Sequence, residues 1–142
     1  MIKQALGADV KIGDIYLVNF DGNGNVQRGL RPAVVFQNNK GNVHSPNVIV
    51  LPLTSRIKKI FQPTHVVLHA EVSGLKCDSV VLCENPVCVP KSALGQYITA
   101  LSEDYIREIA RANILAFGGI GFLNQDELLG LRNKAVELNG VA

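Results

Sequence analysis

Apolar and polar residues alternate in short runs over roughly the first hundred positions, and then recur at helical spacing to the end of the chain. The first alternating run, 14–20, leads into Asp21-Gly22-Asn23-Gly24-Asn25. Asn and Gly accept positive φ at little cost, so this cluster predicts a reversal of the chain. Two strand-like runs follow, Gly29-Leu30-Arg31-Pro32-Ala33-Val34-Val35-Phe36-Gln37-Asn38 and Asn47-Val48-Ile49-Val50-Leu51-Pro52-Leu53-Thr54-Ser55-Arg56. Strands joined by a reversing loop run antiparallel. With Gln37 and Val48 closing that loop, Arg31 falls opposite Thr54. Side chains then divide by parity. Val34, Phe36, Ile49, Leu51 and Leu53 form a large apolar face, while Arg31, Ala33, Val35, Gln37, Val50, Pro52 and Thr54 form a smaller mixed one. The split predicts an antiparallel sheet with one core face.

Three more strands are predicted, at 64–69, at 78–84 and around Tyr97-Ile98-Thr99 after a turn at 91–94. Five or six short strands with turn-rich gaps indicate a mainly β fold, a small barrel or sandwich, completed by helices. Ser102 is a suitable N-cap for the first helix, with Glu103 and Asp104 favourable at the positive end of its dipole. Its predicted packing face is Ile106, Ile109, Ala110, Asn113, Ile114 and Phe117, and Gly118-Gly119 should end it. A second helix is expected over 125–138, capped by Asn124, with a stripe of Leu128, Leu131, Ala135 and Leu138. Two heptads are too short to make a coiled coil unaided. The expected division is a domain over 1–117 and a helical extension over 118–142, packed or interacting.

At 142 residues the chain fits one domain with an appendage, long enough to bury a core without staples. The net charge of +2 says little, but its distribution says more. Residues 1–65 carry eight Lys/Arg against three acids, and the remainder six against nine. A basic half suits a polyanion such as nucleic acid. Cys77, Cys83 and Cys88 are odd in number and lack metal-ligand spacing. The opening Met1-Ile2-Lys3-Gln4 lacks a signal peptide's apolar stretch, and no run approaches a membrane span's length. The expectation is a cytoplasmic protein with reduced thiols, each cysteine acting as buried filler.

Most sites suggested by short motifs fail on context. Gly24-Asn25-Val26-Gln27-Arg28-Gly29 begins like a P-loop, but Leu30-Arg31 follows where Lys-Ser/Thr is needed. Gly118-Gly119-Ile120-Gly121 follows a helix rather than a strand, against a dinucleotide fingerprint. His65 and His69 share a strand face but lack further ligands, so no metal or other cofactor is expected. Arg31 and Thr54 are each unremarkable alone, an Arg at a strand start and a Thr in a strand. Together they place a guanidinium and a hydroxyl at one rim, beside a Gly-rich loop and Arg28, Arg56, Lys58 and Lys59.

In order along the chain, Gly13-Asp14-Ile15-Tyr16, Gly29-Leu30-Arg31-Pro32-Ala33-Val34-Val35, Gln37-Asn38, Ser45-Pro46 and Val50-Leu51-Pro52-Leu53-Thr54-Ser55 make a series. Pro63-Thr64-His65-Val66, Asp78-Ser79-Val80-Val81-Leu82 and Leu101-Ser102-Glu103 continue it. The series resembles the MazF/PemK family of toxin ribonucleases from bacterial toxin–antitoxin pairs, over roughly residues 10–117. The resemblance implies an SH3-like β-barrel with a C-terminal helix, acting as a homodimer. It implies metal-independent, sequence-selective cleavage of single-stranded RNA, and inhibition by an antitoxin with an acidic, disordered segment. It maps the family's catalytic residues onto Arg31 and Thr54. As the ribose 2′-OH attacks the phosphate, a guanidinium and a hydroxyl would stabilise the charge building on oxygen, leaving a 2′,3′-cyclic phosphate and a 5′-OH. Arginine holds its proton throughout the physiological range, so charge stabilisation is its expected role and the general base is unassigned.

RNA contacts are expected from Asn19, Gln27, Arg28, Gln37, Ser55, Arg56, His65, Glu84 and Asn85. Val26-Gln27 and Glu84-Asn85 depart from common family patterns, which leaves the cleaved motif open. Two rivals share the fold: a gyrase-targeting toxin, and a silent RNA- or antitoxin-binding module. Relatives of the first kind end on a Trp-bearing segment, whereas this chain has no Trp. The pairing of Arg31 with Thr54 counts against the second.

Overall fold

In a computed structural model that describes residues 10–21, 28–56 and 62–141, seven strands form an antiparallel sheet. They are β1 (Asp14–Asp21), β2 (Arg28–Val35), β3 (Asn47–Thr54), β4 (His65–Leu68), β5 (Ser79–Leu82), β6 (Val87–Pro90) and β7 (Leu94–Ala100). Their order is β4-β5-β3-β2-β1-β7, with β6 pairing beside β5 on the same edge of β3. Among the described residues no ladder joins β4 to β7. The architecture is an open sheet with helices, a mixed α/β arrangement, rather than a closed cylinder. Strand β6 was not expected. It is short, follows Asn85-Pro86, ends at Pro90, and exists by pairing with residues 47–50 of β3.

The register of β2 on β3 is the expected one, with Ala33 opposite Pro52, Val34 opposite Leu51 and Val35 opposite Val50. The parity split also appears, but it separates two cores instead of a core from solvent. Val34, Leu51 and Leu53 join Ile15, Leu68, Val81 and Ile109 on one side. Ala33, Val35 and Val50 are equally buried on the other, against Tyr16, Val18 and Phe20. The expectation of a single core face is therefore corrected: the smaller side chains fill a second core. Ile49, expected inside, is 38% exposed. It pairs with Cys88 of β6, at the half of β3 that lies beyond the strands carrying the first core.

Between β2 and β3 the chain forms a short helix, α1 (Asn39–His44), where a plain loop was expected. Another, α2 (Ala70–Ser73), follows β4. Helix α3 (Glu103–Phe117) starts at Ser102, whose hydroxyl accepts the Tyr105 N–H, and ends at Gly118 with φ 73°. Its buried residues are Ile109 and Ala112, supported by Tyr105 and Ile106. Ile114 and Phe117 are exposed, so the predicted packing face was rotated at its C-terminal end. The helix crosses close over Gly13, whose φ is 91°, and a Cβ there would lie 2.5 Å from Ile106 Cδ1. Helix α4 (Gln125–Asn139) carries the predicted Asn124 cap, completed by Glu127 as a capping box. None of its residues is buried.

Of the cysteines only Cys83 is buried, while Cys77 and Cys88 are exposed. The expectation of three buried fillers fails for two, which lie on strand or loop positions facing outward. Among the described residues no helix is long and apolar enough to cross a membrane.

Candidate functional site

The ladder between β2 and β3 ends at Ala33–Pro52. Pro32 has no N–H to continue it. Beyond this level β3 takes β5 on its other edge, with Leu53 opposite Val81 and Thr54 opposite Val80. Extrapolated two residues past the ladder, the same register would set Arg31 level with Thr54 at the rim. Arg31 is exposed and Thr54 half-buried. Thr54 Oγ1 accepts the backbone N–H of Arg56 at 3.1 Å, which turns the chain out of the strand and fixes the hydroxyl oxygen. Its own proton has no acceptor among the described residues. Ser55 and Arg56 follow, both exposed.

A second cluster shares this face. Val80 pairs with Val67, and alternation along β4 brings His65 to the same side as Thr54. His65 lies two strands away, about 10 Å across the sheet. Its Nε2 is 2.7 Å from Glu84 Oε2, which also accepts the Thr64 hydroxyl at 3.2 Å. Glu84 Oε1 is buried and has no hydrogen-bond partner. Asn85 is exposed beside it. The neighbouring Cys83 thiol is pushed up to about 12, first by burial and then by the Glu84 charge, so it stays protonated. His65 also lines a groove of about 580 Å³ between β4 and α3, with Val67, His69, Tyr105 and Arg111. Tyr105 was not singled out from the sequence, Thr64 entered only within the Pro63-Thr64-His65 run, and His69 was weighed there only as a metal ligand.

Other predicted site residues stand apart. Gln37 lies at the far end of the β2–β3 pair, roughly 20 Å along the strand from Arg31. Its amide donates to Asn42 Oδ1 at 3.3 Å and to the Asn47 carbonyl at 3.2 Å. Asn42 is buried and in turn donates to the Gln37 carbonyl and to Asn39 Oδ1. Asn19 is exposed opposite Leu30, on the opposite face of the sheet from Arg31 and its partner Val18. Arg28 opens β2 opposite Asp21, but its side chain, like Gln27, Lys58 and Lys59, lies outside the described residues. Among the described residues no group of three His, Cys, Asp or Glu stands where it could hold a metal ion.

The PemK-like, MazF-like toxins of type II toxin–antitoxin systems match residues 11–117, and the chain belongs to this family. It is 38% identical over 107 residues to the endoribonuclease MazF of Staphylococcus saprophyticus, covering 75% of this chain and 89% of that protein. Among solved structures it is similar to the Mycobacterium tuberculosis toxin MazF-mt6, with TM-score 0.62, 28% identity, and 74% and 96% of the two chains covered. The fold is also that of MazF from Deinococcus radiodurans, with TM-score 0.66 at 24% identity over 77% of this chain and 96% of that one.

Proposed function

We propose that this toxin is a metal-independent endoribonuclease that cuts single-stranded RNA at a preferred short motif, with Arg31 and Thr54 as its catalytic residues. The observation that carries the reading is their common level at an exposed rim, where the β2–β3 ladder stops. In the reaction the ribose O2′ forms a bond to phosphorus, and the bond from phosphorus to the leaving O5′ breaks. The 2′-OH proton goes to a base, and O5′ takes up a proton. Negative charge gathers on the non-bridging oxygens, where the Arg31 guanidinium and the Thr54 hydroxyl donate. His65 is too far from Thr54 to serve the same phosphate. With Glu84 and Asn85 it sits where a neighbouring base would lie, and we assign these three to reading the motif. Ser55 and Arg56 hold the backbone at the rim. We read the fold as an SH3-like barrel left open between β4 and β7, a reading that the two cores on either side of the sheet support.

The family match and the relative named an endoribonuclease support this reading. The toxin acts in the cytoplasm as a homodimer and is neutralised by a cognate antitoxin whose acidic, disordered segment meets the basic half of the chain. End-mapping of RNA cleaved in the presence of EDTA tests the reaction. Cyclic-phosphate ends at a recurrent short motif are expected. Random cuts, or cleavage only with added metal, would overturn it.

A further inference from the structure

Glu84 sits in the turn after β5, and hydrogen bonds hold the backbone of that turn from three sides. The Asn85 N–H donates to the Leu82 carbonyl at 3.1 Å, and the Cys83 N–H to the Thr64 carbonyl at 3.1 Å. From α3 the Asn113 amide reaches the Cys83 carbonyl at 3.4 Å. The carboxylate itself is held less evenly. Oε2 accepts the Thr64 hydroxyl at 3.2 Å and lies 2.7 Å from His65 Nε2, whereas Oε1 is buried without a partner.

A carboxylate turns easily about its last bond. Turning out to water would relieve the stranded Oε1, because a buried acceptor without a donor is costly. Two donors converging on Oε2 oppose that turn, and Thr64 supplies one of them. A carboxylate only accepts, so His65 presents Nε2–H to it. In the neutral ring this leaves Nδ1 as the acceptor. A ring free to exchange tautomers would offer a base edge a donor and an acceptor by turns, and could not tell one edge from another.

We propose that Thr64 is a positioning residue for motif recognition: its hydroxyl holds the Glu84 carboxylate in place, and the carboxylate holds one tautomer of His65. Thr64 acts through those two side chains and not on the reacting atoms. This role rests on the nuclease reading, in which His65 meets a base of the motif. Thr64→Val keeps the shape and removes the donor. In the full chain, kcat/KM is measured on two RNAs, one carrying the mapped motif and one with a motif base changed. The ratio of the two should fall by at least ~10-fold, the worth of one hydrogen bond to a charged group, with cleavage of the altered RNA unchanged. Thr64→Ser, which returns the hydroxyl, should restore the ratio. Both rates come from one sample, so any loss of folded protein cancels. A ratio unchanged in Thr64→Val, or not restored by Thr64→Ser, overturns this role and leaves the nuclease reading standing. A parent that cuts neither RNA overturns both. Should Thr64→Val not fold, imidazole nitrogen NMR shifts decide without RNA. The parent and Thr64→Ser should show neutral His65 protonated at Nε2 alone, and Thr64→Ala a mixture of tautomers. A single tautomer that survives in Thr64→Ala sinks the assignment.

Discussion

At the loop end of the β2–β3 pair, polar side chains answer one another. Asn38 caps α1, Gln37 and Asn42 exchange hydrogen bonds, and Asn39 holds the Ile12 N–H at 2.8 Å. At the rim end, some 20 Å away, Arg31 is exposed and the Thr54 hydroxyl keeps a proton to give. The same two strands thus carry a closed polar knot at one end and an exposed guanidinium with a strand-end hydroxyl at the other. Saturated polar groups hold a fold. An exposed charge at a margin where the β2–β3 ladder has stopped is what the proposed substrate contact uses.

The sharpest way to break this contrast is at Arg31. Arg31→Ala should lower RNA cleavage by about 10³-fold or more while leaving the melting temperature unchanged. An active variant would show that the rim is not the reaction centre. Thr54→Val, which keeps the shape and removes the hydroxyl, should cost about 10²-fold in kcat with little change in KM. The opposite pattern is expected at the knot. Asn42→Ala should destabilise the chain by about 2 kcal/mol in urea unfolding, since it strips the Gln37 carbonyl of its Asn42 donor, yet its folded fraction should cleave normally. If Asn42→Ala lost activity without losing stability, the loop end would belong to the site.

The smallest effect separates sealed from open groups by pH. The Cys83 thiol is held at about 12 against 9.0 for the free group. Between those values the unfolded chain binds fewer protons than the folded one, so stability falls as pH rises through this window. Cys83→Ala should lose less stability than the parent from pH 9 upward, measured by urea midpoints across the titration. At pH 8, Cys77 and Cys88 should alkylate readily in the native protein, and Cys83 only on unfolding.

Much of this was legible in the sequence. The β2–β3 register, the Ser102 and Asn124 caps and the glycine stop at Gly118 all follow from local chemistry: turn residues, side-chain oxygens at helix starts, positive φ. What the pattern could not show depends on partners distant in the chain. Parity separated Val34 from Val35 but could not reveal that Tyr16 and Phe20 bury the second set. Helical spacing found α3 but placed Phe117 inside, because the stripe is apolar on both of its edges and only the sheet decides which edge packs. At the site, motif order brought Gln37 and Arg31 together although they stand at opposite ends of a strand pair. Conversely, the contact of His65 with Glu84 joins residues 19 positions apart that no periodicity links.

One wall of backbone divides the two cores, and this has a consequence for how the protein opens. Residues 33–35 of β2 and 50–52 of β3 offer alternate side chains to either core, so neither core can loosen while the other keeps its half of the same strands. Amide protons along that wall should exchange with solvent only when the whole sheet unfolds, as the slowest set in the molecule. The rim bearing Arg31 is therefore the edge of the least yielding part of the chain, and the proposed RNA site inherits that rigidity.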